Sequence, residues 1–335
     1  MIVARKSIGV AAAAAAAAMV IAGSAVGQVQ LRLLNSWDTR YPGNYLVMDK
    51  FAAAIKDGTQ GAVSIRTSGP EVVPAFEQFQ PLAKGAFDML FTTPPFHAGQ
   101  TSVAFGLFTL EPDPEGWRKN GIFALMEKEY AERGVKLLAI PPGNMKGTGA
   151  FHVVLREPLT AANDLKGRKI RSTRGSLSPF TEGYGGISVQ LVPTDIYGAL
   201  QRGTVDGAAY PVLGTVDYKW YEVSKYMTRP TWGTVCHMLL MNTSAWDKLS
   251  DAHKKVIDEA SRRAELDGMT LLNAKVIEEI DELKKRGMQE VQLDPARLPK
   301  IMGDYRDALW TLAEAHPPSA VRAKEFRTLV RSLGQ

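Results

Sequence analysis

The chain has 335 residues, 45% hydrophobic and 22% charged, with a formal net charge of +5. That is the make-up of a soluble globular protein with core enough for two domains, and the charge is too mild to argue for a nucleic-acid partner. Cys236 is the only cysteine, which excludes an intramolecular disulfide.

The first segment, "MIVARKSIGVAAAAAAAAMVIAGSAVGQ", has Arg5 and Lys6, then an Ala-rich run, then small residues. That is the layout of a secretory signal peptide, with cleavage expected near Gly27. An uncleaved anchor is the alternative, and the weakly apolar run argues against it. No other stretch is long and apolar enough to span a bilayer. Removal leaves 38 basic against 35 acidic residues, a net charge of +3. In an exported chain Cys236, beside Val235 and near Leu239, reads as a buried thiol acting as a small hydrophobe.

"LRLLNSW", residues 31–37, reads as a first strand. An amphipathic helix follows, then Gly58 and Gly61, then a strand around Val63 and Ile65. "FEQFQPLAKGAFDMLFTTP", residues 76–94, reads as helix, Gly85, Asp88, a buried strand and Pro94. "KGRKIRSTRG", residues 166–175, places Arg171 and Arg174 where a strand ends and a loop begins. These guanidiniums could be a solvated strand end, an anion site or part of a nucleic-acid patch. "DIYGALQRGTVDGAAYP", residues 195–211, repeats the earlier pattern with Gly203, Asp206 and Pro211. Helix–Gly–strand is a common connection by itself. The matched length and shared Asp favour two similarly built α/β halves, with "KIRST" equivalent to the first strand. From Ser250 onward the chain reads as a long helix, followed by two terminal helices.

Open α/β sheets bind ligands beyond the carboxyl ends of their strands, and two facing sheets form a cleft. The strand ends here are Trp37 and Asp38, Thr92 and Thr93, Arg171 and Thr173, and Tyr210. There is no nucleophile elbow, zincin, phosphate-loop or dinucleotide motif, and the five histidines have no ligand spacing.

"LTAANDLKGRKIRS", "GISVQLVPTDIYGALQRGTVDGAAYP" and "WYEVSKYMT…NTSAWDKLS" resemble the DctP-type solute-binding proteins of tripartite ATP-independent periplasmic (TRAP) transporters. The pattern D-L-K-G-x-K-x-R runs from Asp164 to Arg171, and Y-x-A-L-Q-x-G-x-x-D-G from Tyr197 to Gly207. The resemblance implies a two-lobed α/β clamshell with a long bridging helix. Its expected lobes are 28–148 plus 236–280 and 149–235 plus 281–335, after a signal peptide over 1–27, hinged near Gly147–Gly149 and Val235–Leu239. It implies a periplasmic monomer that captures an organic acid and delivers it to a membrane permease, with no nucleic acid involved. An exported clamshell enzyme and a ligand-presenting sensor partner are the alternatives.

Residue by residue, the family's carboxylate-binding arginine falls on Arg171. Its guanidinium offers two parallel donors to a carboxylate. Where many members carry a second Arg or a Gln, this chain has Phe151 or His152. A metal-dependent subset carries a Glu–Trp pair, and Ala209 and Tyr210 stand there instead. No metal or cofactor is therefore expected, with Glu77 or Asp217 the carboxylates that could bring oxygen from elsewhere. Trp37, Thr93, Thr173, Tyr210 and Trp232 complete the expected ligand-binding set, the aromatic members suiting an apolar ligand body.

Overall fold

The computed structural model describes residues 28–173 and 175–334. The expected signal segment and Arg174 lie outside the described residues. The first lobe begins with β1 (Val29–Asn35), α1 (Asp49–Gly58), β2 (Val63–Ser68), α2 (Phe79–Ala83) and β3 (Met89–Thr92). It continues through α3 (Pro114–Lys119) and α4 (Ile122–Ala131) to β4 (Val135–Ala139). The chain then crosses to the second lobe, with β5 (Phe151–Leu155), β6 (Lys169–Ser172), α5 (Ser178–Gly183) and β7 (Ile187–Gln190). After α6 (Ile196–Gln201), β8 (Gly207–Pro211) and β9 (Tyr226–Arg229) it returns as β10 (Met238–Asn242) and α7 (Thr243–Asp247). The bridging helix α8 (Asp251–Lys285), β11 (Gln289–Gln292), α9 (Leu298–Ala315) and α10 (Ala320–Ser332) complete it.

The two sheets share one plan. The first runs β2-β1-β3-β10-β4 and the second, read in the same sense, β7-β6-β8-β5-β9-β11. In each, three parallel strands meet an antiparallel one: β10 against β3, and β5 against β8. The repeated Gly–Asp pattern builds the same joint twice. Gly85 and Gly203 take left-handed backbone, φ +75° and +70°. Asp88 N–H donates to Arg32 O at 2.9 Å and Asp206 N–H to Lys169 O at 2.8 Å. The Asp88 carboxylate accepts from Arg32 N–H, and that of Asp206 from Lys169 N–H, each at 2.8 Å. Each aspartate thus satisfies a backbone donor where its strand joins the sheet.

Two segments cross between the lobes side by side. Gly143 N–H donates to Val235 O at 2.9 Å, His237 N–H to Pro141 O at 3.0 Å, and Phe151 N–H to Trp232 O at 2.9 Å. Gly149 is required there, because a Cβ would stand 2.3 Å from the Thr231 carbonyl carbon.

Helix α8 is the third connection. Its 35 residues span about 52 Å. Ser250 caps it, accepting from His253 N–H at 3.2 Å, and Lys284 and Lys285 close its last turn. The helix runs unbroken through the expected lobe boundary at residue 280. Nor do residues 281–335 fall to one lobe. Strand β11 pairs with β9, whereas α10 packs against α4 and the 3₁₀ segment Val103–Thr109 of the first lobe. The reason is an aromatic seat: Phe326 meets Trp310 at 5.2 Å between centroids, and both crowd Gly106.

Candidate functional site

The strand ends of both sheets enclose a cavity with about 390 Å³ of empty space, its open mouth included. The first lobe contributes Trp37, Tyr41, Thr93, Pro95, Phe96 and Phe108, and the return crossing contributes Val235. The second contributes Phe151, Thr173, Ser176, Leu177, Tyr210 and Pro211. Trp37 follows β1, Thr93 follows β3, Thr173 follows β6 and Tyr210 sits on β8, so strand ends from both halves converge.

The first-lobe wall is held by packing and one polar relay. Trp37 stacks on Tyr41, centroids 4.6 Å apart and planes 16° apart. Behind them His237 lies with Nδ1 3.1 Å from Pro141 O and Nε2 2.7 Å from Tyr41 Oη. A carbonyl only accepts, so Nδ1 carries the proton and Nε2 accepts from the Tyr41 hydroxyl. Burial lowers the His237 pKa to about 4, which keeps the ring neutral. The crossing segment at Pro141 is thereby tied to the cavity wall.

On the second-lobe side, Tyr210 is 3% exposed, and its hydroxyl has no hydrogen-bond partner among the described residues. Burial pushes its pKa up, so the phenol is neutral and keeps a proton to donate. Next to it lies Arg171, fully buried, its guanidinium carbon 5.3 Å from the Tyr210 ring centroid. Arg171 Nε and Nη2 donate to Leu191 O at 3.0 and 2.8 Å, and Nη1 donates to Ala209 O at 3.1 Å. A guanidinium has five N–H groups, so two remain without a partner among the described residues.

The charge of Arg171 sets it apart from the other inward-facing arginines. Arg118 pairs with Glu265, Arg133 and Arg322 with Glu129, and Arg229 with Glu290. Arg171 has no carboxylate partner among the described residues, and burial lowers its pKa to about 10. It lies two residues before Thr173 and beside the Tyr210 ring, and Thr173 and Tyr210 both line the cavity.

Residues 43–309 match the family of bacterial extracellular solute-binding proteins, family 7 (DctP). The chain belongs to this family. It is a solute-binding protein with the family's two-lobed α/β fold. It is 28% identical over 141 residues to the ectoine-binding periplasmic protein TeaA of Halomonas elongata, a match covering 42% of this chain and 40% of that protein. A solute-binding protein of Albidiferax ferrireducens is 22% identical over 271 residues, 78% of each chain. Among solved structures, a TRAP periplasmic solute-binding protein from Desulfovibrio salexigens with bound orotic acid superposes with a TM-score of 0.79 at 20% identity. That match covers 90% of this chain and 97% of the other. One from Bordetella bronchiseptica, with copurified calcium and picolinate, gives 0.78 at 18% identity, covering 91% and 94%.

Within this family member the expected site residues separate. Trp37, Thr93, Phe151, Thr173 and Tyr210 come together on the cavity, and Arg171 lies beside Tyr210. His152 does not reach it. Strand side chains alternate, so His152 faces away from Phe151 and lies 3.2 Å from Thr215 Oγ1, fully buried, its pKa lowered to about 3 by burial. Glu77 is exposed in the 3₁₀ turn Ala75–Glu77. Its neighbour Gln78 turns inward instead, accepting from Ser36 Oγ at 2.6 Å and donating to Asn35 O at 3.0 Å. Trp232 stacks face to face on Phe180 at 3.7 Å and lies behind Phe151, in a second cleft beside Tyr305. Asp217 is half-buried and absent from the cavity lining, and Tyr45 Oη donates to it at 3.2 Å. Among the described residues, no group of three His, Cys, Asp or Glu side chains could hold a metal ion.

Tyr41, Phe96, Phe108, Ser176 and Leu177 line the cavity without having been singled out from the sequence. A signal existed for Tyr41 and Ser176, which stand in the loops directly after β1 and β6.

Proposed function

We propose that this protein captures a small organic acid outside the cytoplasm and delivers it to a TRAP membrane permease, with Arg171 as the carboxylate's anchor. One observation carries the reading: a buried guanidinium with no counter-charge among the described residues lies beside Tyr210 of the interlobe cavity. Buried charges are ordinarily paired, because desolvating a lone ion is costly. A ligand carboxylate would supply the missing charge, and the two N–H groups left over match its two oxygens. The relatives support the same chemistry, since orotic acid and picolinate are both carboxylates.

The acid enters between open lobes, the lobes close about the crossing segments near Gly147–Gly149 and Val235–Leu239, and the permease recognises the closed form. The protein works as a periplasmic monomer, its leader removed near Gly27, and binding needs no metal. Native mass spectrometry of the purified protein, followed by a thermal-shift screen of organic acids, tests the reading. A mass increment matching a carboxylic acid supports it. A screen in which neutral solutes stabilise the protein and acids do not defeats it.

A further inference from the structure

Two buried titratable side chains take no part in anchoring the carboxylate, and both end on one tripeptide. We propose that Glu279 and His152 are positioning residues for capture: they fix Gly214–Val216 as the second-lobe surface that seats against Tyr41 when the lobes close. The proposal rests on the carboxylate-capture reading above.

The loop 212–218 follows Tyr210 and Pro211, which line the cavity. Gly214 takes left-handed backbone, φ +94°, and faces the first lobe, where a Cβ on it would stand 3.4 Å from Tyr41 Cδ2. Tyr41 lines the same cavity from the opposite lobe, so the loop joins one wall to the other. Farther on, Tyr218 lies edge-on to Tyr210, centroids 6.3 Å apart, and the Arg40 guanidinium of the first lobe sits over its ring.

The supports come from side chains that do not line the cavity. Glu279 is fully buried, with Oε1 accepting from Gly214 N–H and Oε2 from Val216 N–H. Neither N–H has another partner among the described residues. Unlike Glu129 and Glu265, Glu279 makes no ion pair among the described residues. Between the two bonds, Thr215 Oγ1 lies 3.2 Å from Nε2 of the fully buried His152. An apolar side chain would pack α8 without the desolvation penalty of a carboxylate. A carboxylate answers what this loop needs, which is an acceptor for each of two inward N–H groups. Opening the lobes parts Gly214 from Tyr41, so the shape of the loop matters for holding the closed form and little for first encounter. Slackening it therefore acts on dissociation.

Stopped-flow tryptophan fluorescence reads both rates, with orotate, picolinate, pyroglutamate and D-glucuronate as probes. For each probe that binds, Glu279→Gln and Thr215→Val should dissociate at least about tenfold faster than wild type, with association within about threefold. Glu129→Gln, at a buried carboxylate paired with Arg133 and Arg322, should keep both rates even where it lowers the melting temperature. Hydrogen exchange needs no probe, and residues 212–218 should exchange at least about tenfold faster in Glu279→Gln. Unchanged exchange there, a wild-type dissociation rate in either folded loop variant, or an equal acceleration in Glu129→Gln sinks this inference and leaves the carboxylate reading standing. If Glu279→Gln does not fold, Thr215→Val decides. If none of the four acids binds folded wild type, the carboxylate reading fails and this inference with it.

Discussion

Glu265 and Glu279 lie fourteen residues apart on α8, close to four helical turns, so both leave the helix on the same face while each holds a different lobe. Glu265 accepts from Arg118 at 2.7 and 2.9 Å and from Ile140 N–H at 2.8 Å, all in or beside the first lobe. Glu279 accepts from Gly214 N–H at 2.8 Å and Val216 N–H at 3.0 Å, on the second-lobe loop that leads from β8 to Tyr218. The bridging helix is therefore pinned at two points by buried carboxylates.

The Glu279 pin gives a pH dependence. Burial raises its carboxyl pKa from 4.5 to about 7, outweighing the two backbone donors that favour the anion. A folded-state pKa above the unfolded value means that folding favours the protonated acid. Its contribution is complete below about pH 4.5 and is lost as pH rises through about 7, at most roughly 3 kcal/mol. Chemical denaturation at several pH values should show wild type losing stability across this window relative to Glu279→Gln. Parallel curves for the two proteins would refute the assignment.

Arg171→Ala is expected to weaken binding of the copurified acid by a factor of hundreds or more, because a buried charge on the ligand would lose its partner. Arg171→Lys should also bind poorly, since one ammonium cannot reproduce the paired donors. Without ligand the sign reverses. Arg171→Met removes an uncompensated buried charge, so the empty variant should unfold at the same temperature as wild type or higher. Calorimetry and thermal unfolding read the two effects separately, and wild-type affinity in a folded Arg171→Ala protein would sink the anchor.

Outside the cavity lining, first-lobe residues touch second-lobe ones. Tyr45 Oη donates to Asp217 at 3.2 Å, and the Arg40 guanidinium lies 4.8 Å from the Tyr218 ring centroid. These contacts are exposed or partly so, and each such contact is worth about 1 kcal/mol or less. Tyr45→Phe should therefore raise the ligand's dissociation rate no more than about fivefold, with little change in association. Small-angle scattering of wild type should show a smaller radius of gyration with ligand than without. An identical profile at saturation would mean a rigid pocket.

Treatment with a chelator is expected to leave affinity unchanged. Ala209 stands where the metal-dependent subset carries a Glu, and its methyl group offers no oxygen to a hard cation. Affinity lost on chelation and restored by calcium would overturn this.

Much of this molecule was legible in the sequence because the relevant physics is local. A glycine that must take left-handed backbone, an aspartate three residues on and a short apolar run report the same joint at Gly85–Asp88 and Gly203–Asp206 wherever the chain goes afterwards. The period of two along β6 puts Arg171 on the side of the sheet opposite Ile170 and Ser172 without knowledge of any neighbour. The same alternation shows that Phe151 and His152 cannot both face the cavity, but which of them does depends on the strands that flank β5, and both are distant in sequence. Tertiary structure alone decided that Trp232 stacks on Phe180 while Trp37 faces the ligand space, since both are apolar rings in loops. It also decided where α10 lies. An amphipathic pattern shows that a helix buries one face, and only the assembled partners determine what that face meets.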